Sequence, residues 1–250
     1  MRKLILAIPY YADDRAQAMR LAKYIVALES AYRDDCEICF ISRRDADPIF
    51  PHEMMRFVTT MPISWYHCEG TAVGHPAAPN EMAREFFVEA IRRVNDGQWA
   101  TVDAILFMEP DCVPVARDWL NQLRAEWDAA QYFGAEIVGC YREENVDFPH
   151  VNGNMMASPR LADHVDMADI PGLGWDSAIF KRWADAGKPW SWRATPLISN
   201  LWMETKVPEE RMRVNPFHAD KGRPPCLIHG CKDTTVQEFA SRMTGVPFPT

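Results

Sequence analysis

The chain has 250 residues, 48% hydrophobic and 25% charged, and its 27 Lys and Arg against 35 Asp and Glu leave a formal charge of −8 at pH 7. These proportions exclude a disordered or fibrous chain. The acidic balance speaks against a general nucleic-acid coat, whose affinity comes from Lys and Arg neutralising phosphates.

No apolar run approaches the ~20 residues that span a bilayer, and Met1-Arg2-Lys3 leads straight into a short apolar run rather than a signal-peptide core. The expectation is a soluble, cytoplasmic protein without a membrane partner. Seven scattered cysteines, mostly in apolar runs, read as reduced buried thiols. Cys36-x-x-Cys39 with Cys226 and Cys231 could be drawn as a zinc site, but the first pair lies in a strand-like stretch lacking the turn that brings two thiols onto one ion.

Residues 4–8 form a continuous apolar run closed by Pro9, the pattern of a strand buried on both faces. Asp13-Asp14 open a helix with Ala18, Leu21, Ala22, Ile25 and Leu28 on one stripe, and a second strand follows at 36–42. After a proline-broken stretch with one strand at 63–67 and a Gly/Pro loop at 70–76, Asn80 is expected to cap a helix with Ala83, Phe86, Phe87, Ala90, Ile91 and Val94 on one face. Strands at 102–108 and 135–140 flank a helix at 118–130. This alternation predicts an α/β fold with a mostly parallel sheet flanked by helices for residues 1–140, and ligands at the carboxyl ends of its strands. From Tyr141 the regularity falls, and Trp175, Trp183, Trp190, Trp192 and Trp202 mark an irregular, aromatic-rich C-terminal half, 141–250, packed onto the first in one domain.

The sharpest chemical feature is Glu109-Pro110-Asp111, two carboxylates delivered by an apolar strand to its exit. Such a pair suits Mg²⁺ or Mn²⁺ held with substrate phosphates; the alternative is a solvated turn. His229 follows a short apolar run and precedes a glycine, which suits either a metal ligand or a structural histidine, with Lys232 nearby for phosphate charge. Lys221 and Arg223 lie on a Gly/Pro loop that either closes over a diphosphate or is simply solvated. Asp176 beside Trp175 is either a turn carboxylate or a general base whose pKa burial raises. Neither a P-loop nor a Gly-x-Ser-x-Gly elbow is present.

Taken in order, these residues resemble a GT-A type glycosyltransferase, and more closely the small glycosyltransferase-like proteins of phages. The resemblance runs through Ile8-Pro9-Tyr10-Tyr11, Arg43 with Asp45-Ala46-Asp47, residues 109–119, Asn152-Gly153-Asn154, Gly174-Trp175-Asp176 and His229-Gly230-x-Lys232-Asp233. It implies a GT-A, Rossmann-like fold and a metal-dependent transfer from a nucleotide-sugar, UDP-sugar favoured, to an acceptor hydroxyl. The first half would hold the donor through Pro9, Tyr10, Arg43, Asp45, Glu109 and Lys232. Asp111 and His229, with Glu109 in a DxD-like motif, would hold Mn²⁺ or Mg²⁺; Glu for the first Asp leaves Glu109 on the metal, the ribose or a water. Asp176 is the implied base of an inverting reaction, or a group that orients sugar in a retaining one. His150, Asn152, Asn154 and Trp175 would meet the acceptor. Phage proteins of this type suggest hydroxymethylated pyrimidine in DNA, a base that an aromatic-rich half could stack once flipped; glycan, small-molecule and protein acceptors stand beside it. The rivals are a sugar nucleotidyltransferase, which usually carries a Gly-rich basic loop where Pro9-Tyr10-Tyr11-Ala12-Asp13 stands, and a non-catalytic nucleotide-binding protein.

Overall fold

The first strand sorts the core into two layers. In the computed structural model, which describes residues 2–43, 53, 56, 60–142, 148–188, 191–201, 208–214, 222–230 and 234–249, β1 (Lys3–Pro9) is buried on both faces. Leu4, Leu6 and Ile8 enter one apolar layer and Ile5 and Ala7 the other, as the period of two along a strand requires. β2 (Cys36–Arg43) and β3 (Ile63–Cys68) extend the sheet in parallel on one side, and β4 (Val102–Phe107) joins in parallel on the other.

Helix α1 (Arg15–Leu28) covers the first layer with the expected stripe, widened by Tyr24. Helix α2 (Ala77–Asn95) covers the second through Ala83, Phe86, Phe87 and Ala90. Its start corrects the expectation for Asn80, which lies inside the first turn and donates its N–H to Pro76 O at 3.0 Å. Ala77-Ala78-Pro79 can occupy that turn because proline has no N–H to lose there. Helix α3 (Trp119–Tyr132) returns to the first layer with Trp119, Leu120, Leu123 and Trp127.

The regularity does not end at Tyr141. β6 (Ile137–Arg142) is followed by β7 (His150–Ala157), which inserts antiparallel between β4 and β6. With β8 (Trp192–Ala194) beside β6, the sheet has the order β3-β2-β1-β4-β7-β6-β8. After the short α4 (Leu161–His164), α5 (Trp175–Asp185) packs Trp175, Ile179, Phe180 and Trp183 into the second layer. Trp192 stacks on Tyr141 at 4.7 Å; Trp190 and Trp202 lie outside the described residues.

A second sheet joins β5 (Val113–Pro114), β10 (Leu227–His229) and β9 (Ile198–Asn200) in that order. Helices α6 (Glu209–Arg213) and α7 (Thr235–Thr244) follow, and Asp13-Asp14 form a 3-10 turn (Ala12–Asp14) that leads into α1. Cys36 and Cys39 point into opposite layers, so they cannot clasp one ion, and the six described cysteines are free and buried. No helix among the described residues is long and apolar enough to cross a membrane.

Phe87 is fully buried between Phe107 (6.0 Å, stacked) and Trp175 (5.7 Å), which joins α2 to the sheet and α5. Phe87→Ala is expected to lower the unfolding free energy by about 3–5 kcal/mol in urea denaturation; a loss under about 1 kcal/mol would show that this contact does not hold the layer together.

Candidate active site

Pairing in the small sheet creates the centre of the site. β4 leads into a turn in which Cys112 N–H donates to Glu109 O at 3.0 Å, and β5 follows at once. Ile228 pairs with Val113, so the next residue, His229, is set beside the turn, while β9 places Asn200 opposite it. His229 is 2% exposed. Its Nε2 lies 2.9 Å from Glu109 Oε2 and 3.2 Å from Asp111 Oδ1, and its Nδ1 lies 3.0 Å from Asn200 Oδ1. One ligand atom from each of Glu109, Asp111 and His229 falls within 4.8 Å of the other two.

With Nδ1–H given to Asn200, Nε2 is left facing two carboxylates. Burial disfavours charge on the imidazole, but Glu109 and Asp111 outweigh it and raise the His229 pKa to about 10. A divalent cation can replace that Nε2 proton. Two carboxylate oxygens and one imidazole nitrogen form a donor set that fits Mn²⁺ or Mg²⁺.

Asn154 holds the turn from beneath. It is fully buried, its Oδ1 accepts from Glu109 N–H (2.6 Å) and Cys112 S–H (3.0 Å), and its Nδ2 donates to Asn152 Oδ1 (3.0 Å). The expectation that Asn154 meets an acceptor is therefore corrected: β7 runs antiparallel beside β4, and that register puts this side chain under the turn.

Two adjoining cavities, of about 270 and 290 Å³, open at this end of the sheet and share His75, Pro79, Glu109 and Trp175 as walls. Pro9, Tyr11, Asp14, Gln17 and Asp111 line the first. Asn80, Arg142, His150, Asn152, Asp176 and His229 line the second. Tyr10, expected on the donor side, is corrected. It continues the Leu4-Leu6-Ile8 alternation into the core, fully buried with its ring edge-on to Phe40. Tyr11 takes the place facing the cavity; its hydroxyl is buried without a hydrogen-bond partner among the described residues. Burial, with Cys68, Glu109 and Asp14 adding to it, pushes the phenol well above its ordinary pKa and keeps it a hydrogen-bond donor. Burial also raises the Asp14 pKa, with Asp111 and Glu109 adding to the effect.

Arg43, at the end of β2, donates to the Ala72 carbonyl and lines neither cavity. Asp45, Lys221 and Lys232 lie outside the described residues. Arg223 pairs with Glu126 at 3.0 Å.

In the second cavity His150, 6% exposed, brings Nε2 to 3.5 Å from Asp176 Oδ2, while its Nδ1 lies 2.6 Å from Phe148 O. Asp176 also accepts from Gly153 N–H and Ser177 N–H, each at 2.8 Å. A Cβ at position 153 would come within 3.1 Å of the Trp175 ring and 3.4 Å of the Asp176 carboxylate, so glycine permits this approach. The expected upward shift of Asp176 is corrected in sign: burial raises its pKa, but His150 and the two backbone donors outweigh it and the net shift is downward. For His150, burial lowers the pKa, Asp176 and the Phe148 carbonyl raise it, and the net shift is upward.

No protein-family model matches the chain, and no curated protein does. Among solved structures, the galactosyltransferase LgtC, crystallised with donor and acceptor sugar analogues, is similar at a TM-score of 0.55 and 10% identity, over 98% of this chain and 97% of LgtC. Mouse xyloside xylosyltransferase 1 is similar at a TM-score of 0.50 and 12% identity, over 92% and 97%. The fold is GT-A. In this GT-A frame, the Glu109 turn stands at the carboxyl end of the central parallel strands, where α/β sheets bind their ligands.

Two outcomes follow from these contacts. In wild-type protein the His150 ring protons should titrate above the ordinary histidine value of about 6.5, and Asp176→Asn should bring that midpoint down, as followed by NMR. The pair then stabilises the fold between the lowered Asp176 pKa and the raised His150 pKa, losing Asp176's share as pH falls through the former and His150's as it rises through the latter. An unmoved midpoint would contradict the pairing. Asn154→Ala should cost about 1–3 kcal/mol of stability in urea, because Glu109 N–H loses its partner.

Proposed function

We propose that this protein is a metal-dependent glycosyltransferase that moves a sugar from a nucleotide-sugar, UDP-sugar favoured, to an acceptor hydroxyl. The carrying observation is the cluster of Glu109, Asp111 and His229 at the seam of two cavities on a GT-A sheet. When bound there, Mn²⁺ or Mg²⁺ supplies charge neutralisation to a diphosphate leaving group. The crystallisation of LgtC with donor and acceptor analogues supports a division of the cleft into donor and acceptor sides.

On this reading the nucleoside lies in the first cavity against Pro9 and Gln17, with the Tyr11 hydroxyl donating to it or to its phosphates. Asp45 and Lys232 belong to the donor side, where Lys232 adds positive charge near the diphosphate. Residues 1–140 thus bind the donor, and residues 141–250 complete the metal site and hold the acceptor through His150, Asn152 and Trp175. Asp176 takes the acceptor proton. Held ionised by His150 and the backbone of 153 and 177, it is unprotonated at neutral pH, with lower basicity than a carboxylate raised by burial. Inversion at the anomeric carbon supports Asp176 as base; retention assigns it to orienting sugar instead. The charge of −8 favours a glycan or small-molecule acceptor over DNA, and the free buried thiols suit a cytoplasmic setting.

Thermal unfolding with UDP, GDP, CDP or ADP, each with Mn²⁺ or chelator, tests the donor site. One nucleotide should raise Tm only with metal, worth about 2.7 kcal/mol at a concentration of ~100 Kd, and Asp111→Ala and His229→Ala should stay folded but lose the shift. No shift with any nucleotide would contradict the proposal. Metal-dependent binding without transfer to glycans, small sugars, protein or hydroxymethylpyrimidine DNA would favour a non-catalytic nucleotide-binding protein.

A further inference from the structure

Asn80 is 3% exposed, lies in the first turn of α2 and lines the second cavity beside Pro79, a wall shared by both cavities. Its Nδ2 donates to Leu173 O at 2.9 Å, whereas its Oδ1 is buried without a hydrogen-bond partner among the described residues. The Leu173 contact decides which way the amide points: turned over, it would set Oδ1 against a carbonyl oxygen, acceptor against acceptor. Oδ1 is therefore fixed as the unpaired atom. Native proteins seldom leave such an atom without a partner, and a ligand filling the adjoining cavity can supply the donor.

The chemistry of an acceptor narrows that ligand. An ionised diphosphate has no proton to give and cannot satisfy Oδ1, so neither can the part of a nucleotide that the Glu109, Asp111 and His229 cluster would hold. A sugar hydroxyl can. With the diphosphate at that cluster, the sugar of a nucleotide-sugar would have the second cavity open to it across the seam walled by His75, Pro79, Glu109 and Trp175. We infer that Asn80 Oδ1 accepts a hydrogen bond from a hydroxyl of the transferred sugar, making Asn80 a specificity-determining residue for that sugar. This rests on the glycosyl-transfer reading. A site built around such an acceptor discriminates against a sugar that presents no hydroxyl there, because the buried oxygen then stays unpaired.

The test compares affinities of the full chain with Mn²⁺ for UDP, GDP, UDP-glucose, UDP-galactose, UDP-N-acetylglucosamine, UDP-xylose and GDP-mannose by calorimetric titration. For the nucleotide-sugar that wild type binds tightest, Asn80→Ala should reduce affinity about tenfold and leave the matching nucleoside diphosphate unchanged. An unchanged ratio of nucleotide-sugar to nucleotide affinity in Asn80→Ala overturns the assignment while leaving glycosyl transfer standing. An equal loss for both ligands also overturns it, as the mark of a residue that only braces Leu173. If Asn80→Ala fails to fold, Asn80→Ser, whose shorter side chain falls short of the sugar, is measured by the same ratio. Failure of wild type to bind any of these ligands contradicts the glycosyl-transfer reading itself, and the assignment falls with it.

Discussion

His229 is 2% exposed and yet has two carboxylate oxygens within 3.2 Å of Nε2, a contact that the surrounding short strands hold in place. A buried imidazolium is tolerable only with close partners. Here Glu109 and Asp111 supply charge on one side and Asn200 a hydrogen-bond acceptor on the other. The three-stranded sheet makes this possible: β5 starts where the carboxylate turn ends, β10 pairs with it, and β9 lays Asn200 alongside. Asn154 fixes the turn from the other side. On the proposed function, a cation would exchange for the Nε2 proton, and its affinity would rise with pH as that proton becomes easier to remove.

The insertion of β7 between β4 and β6 ties the two halves of the chain into one cleft. Because β7 runs antiparallel to β4, its first residues lie beyond the end of β4, where His150 and Asn152 line the second cavity. Helix α5 begins at Trp175 and Asp176, so one helix start supplies both an apolar wall and the carboxylate that holds His150. The seam thus has the Glu109, Asp111 and His229 cluster on one side and the His150–Asp176 pair on the other.

The parallel half of the fold is legible in the sequence because β1, β2 and β4 carry apolar runs at 4–8, 38–41 and 104–108 and α1 and α2 carry clear stripes. β7 is not, because Asn152-Gly153-Asn154 are poor strand formers and hide the His150-Val151 alternation; packing against β4 and β6 overrides that propensity. The exit carboxylates and His229 are legible as chemistry, but their distance from one another is set by the pairing of two very short strands. Tyr10 and Tyr11 could have been told apart by carrying the period of two one step past Ile8. Asn80 looks like a cap because its residue type favours one, and only the structure shows it inside the turn with one amide atom spent on Leu173. His75, Asp14, Gln17 and Arg142 line the cleft without any motif that marks them.

On the proposed function, Glu109, Asp111 and His229 bind one divalent ion that also meets a nucleotide diphosphate. Electron spin-echo envelope modulation of Mn²⁺ bound to the protein with UDP reads both neighbours at once. The predicted spectrum contains ¹⁴N modulation from one imidazole and ³¹P modulation from the diphosphate, with the nitrogen signal lost in His229→Ala. Protein-bound Mn²⁺ with no nitrogen modulation in the wild type would contradict it.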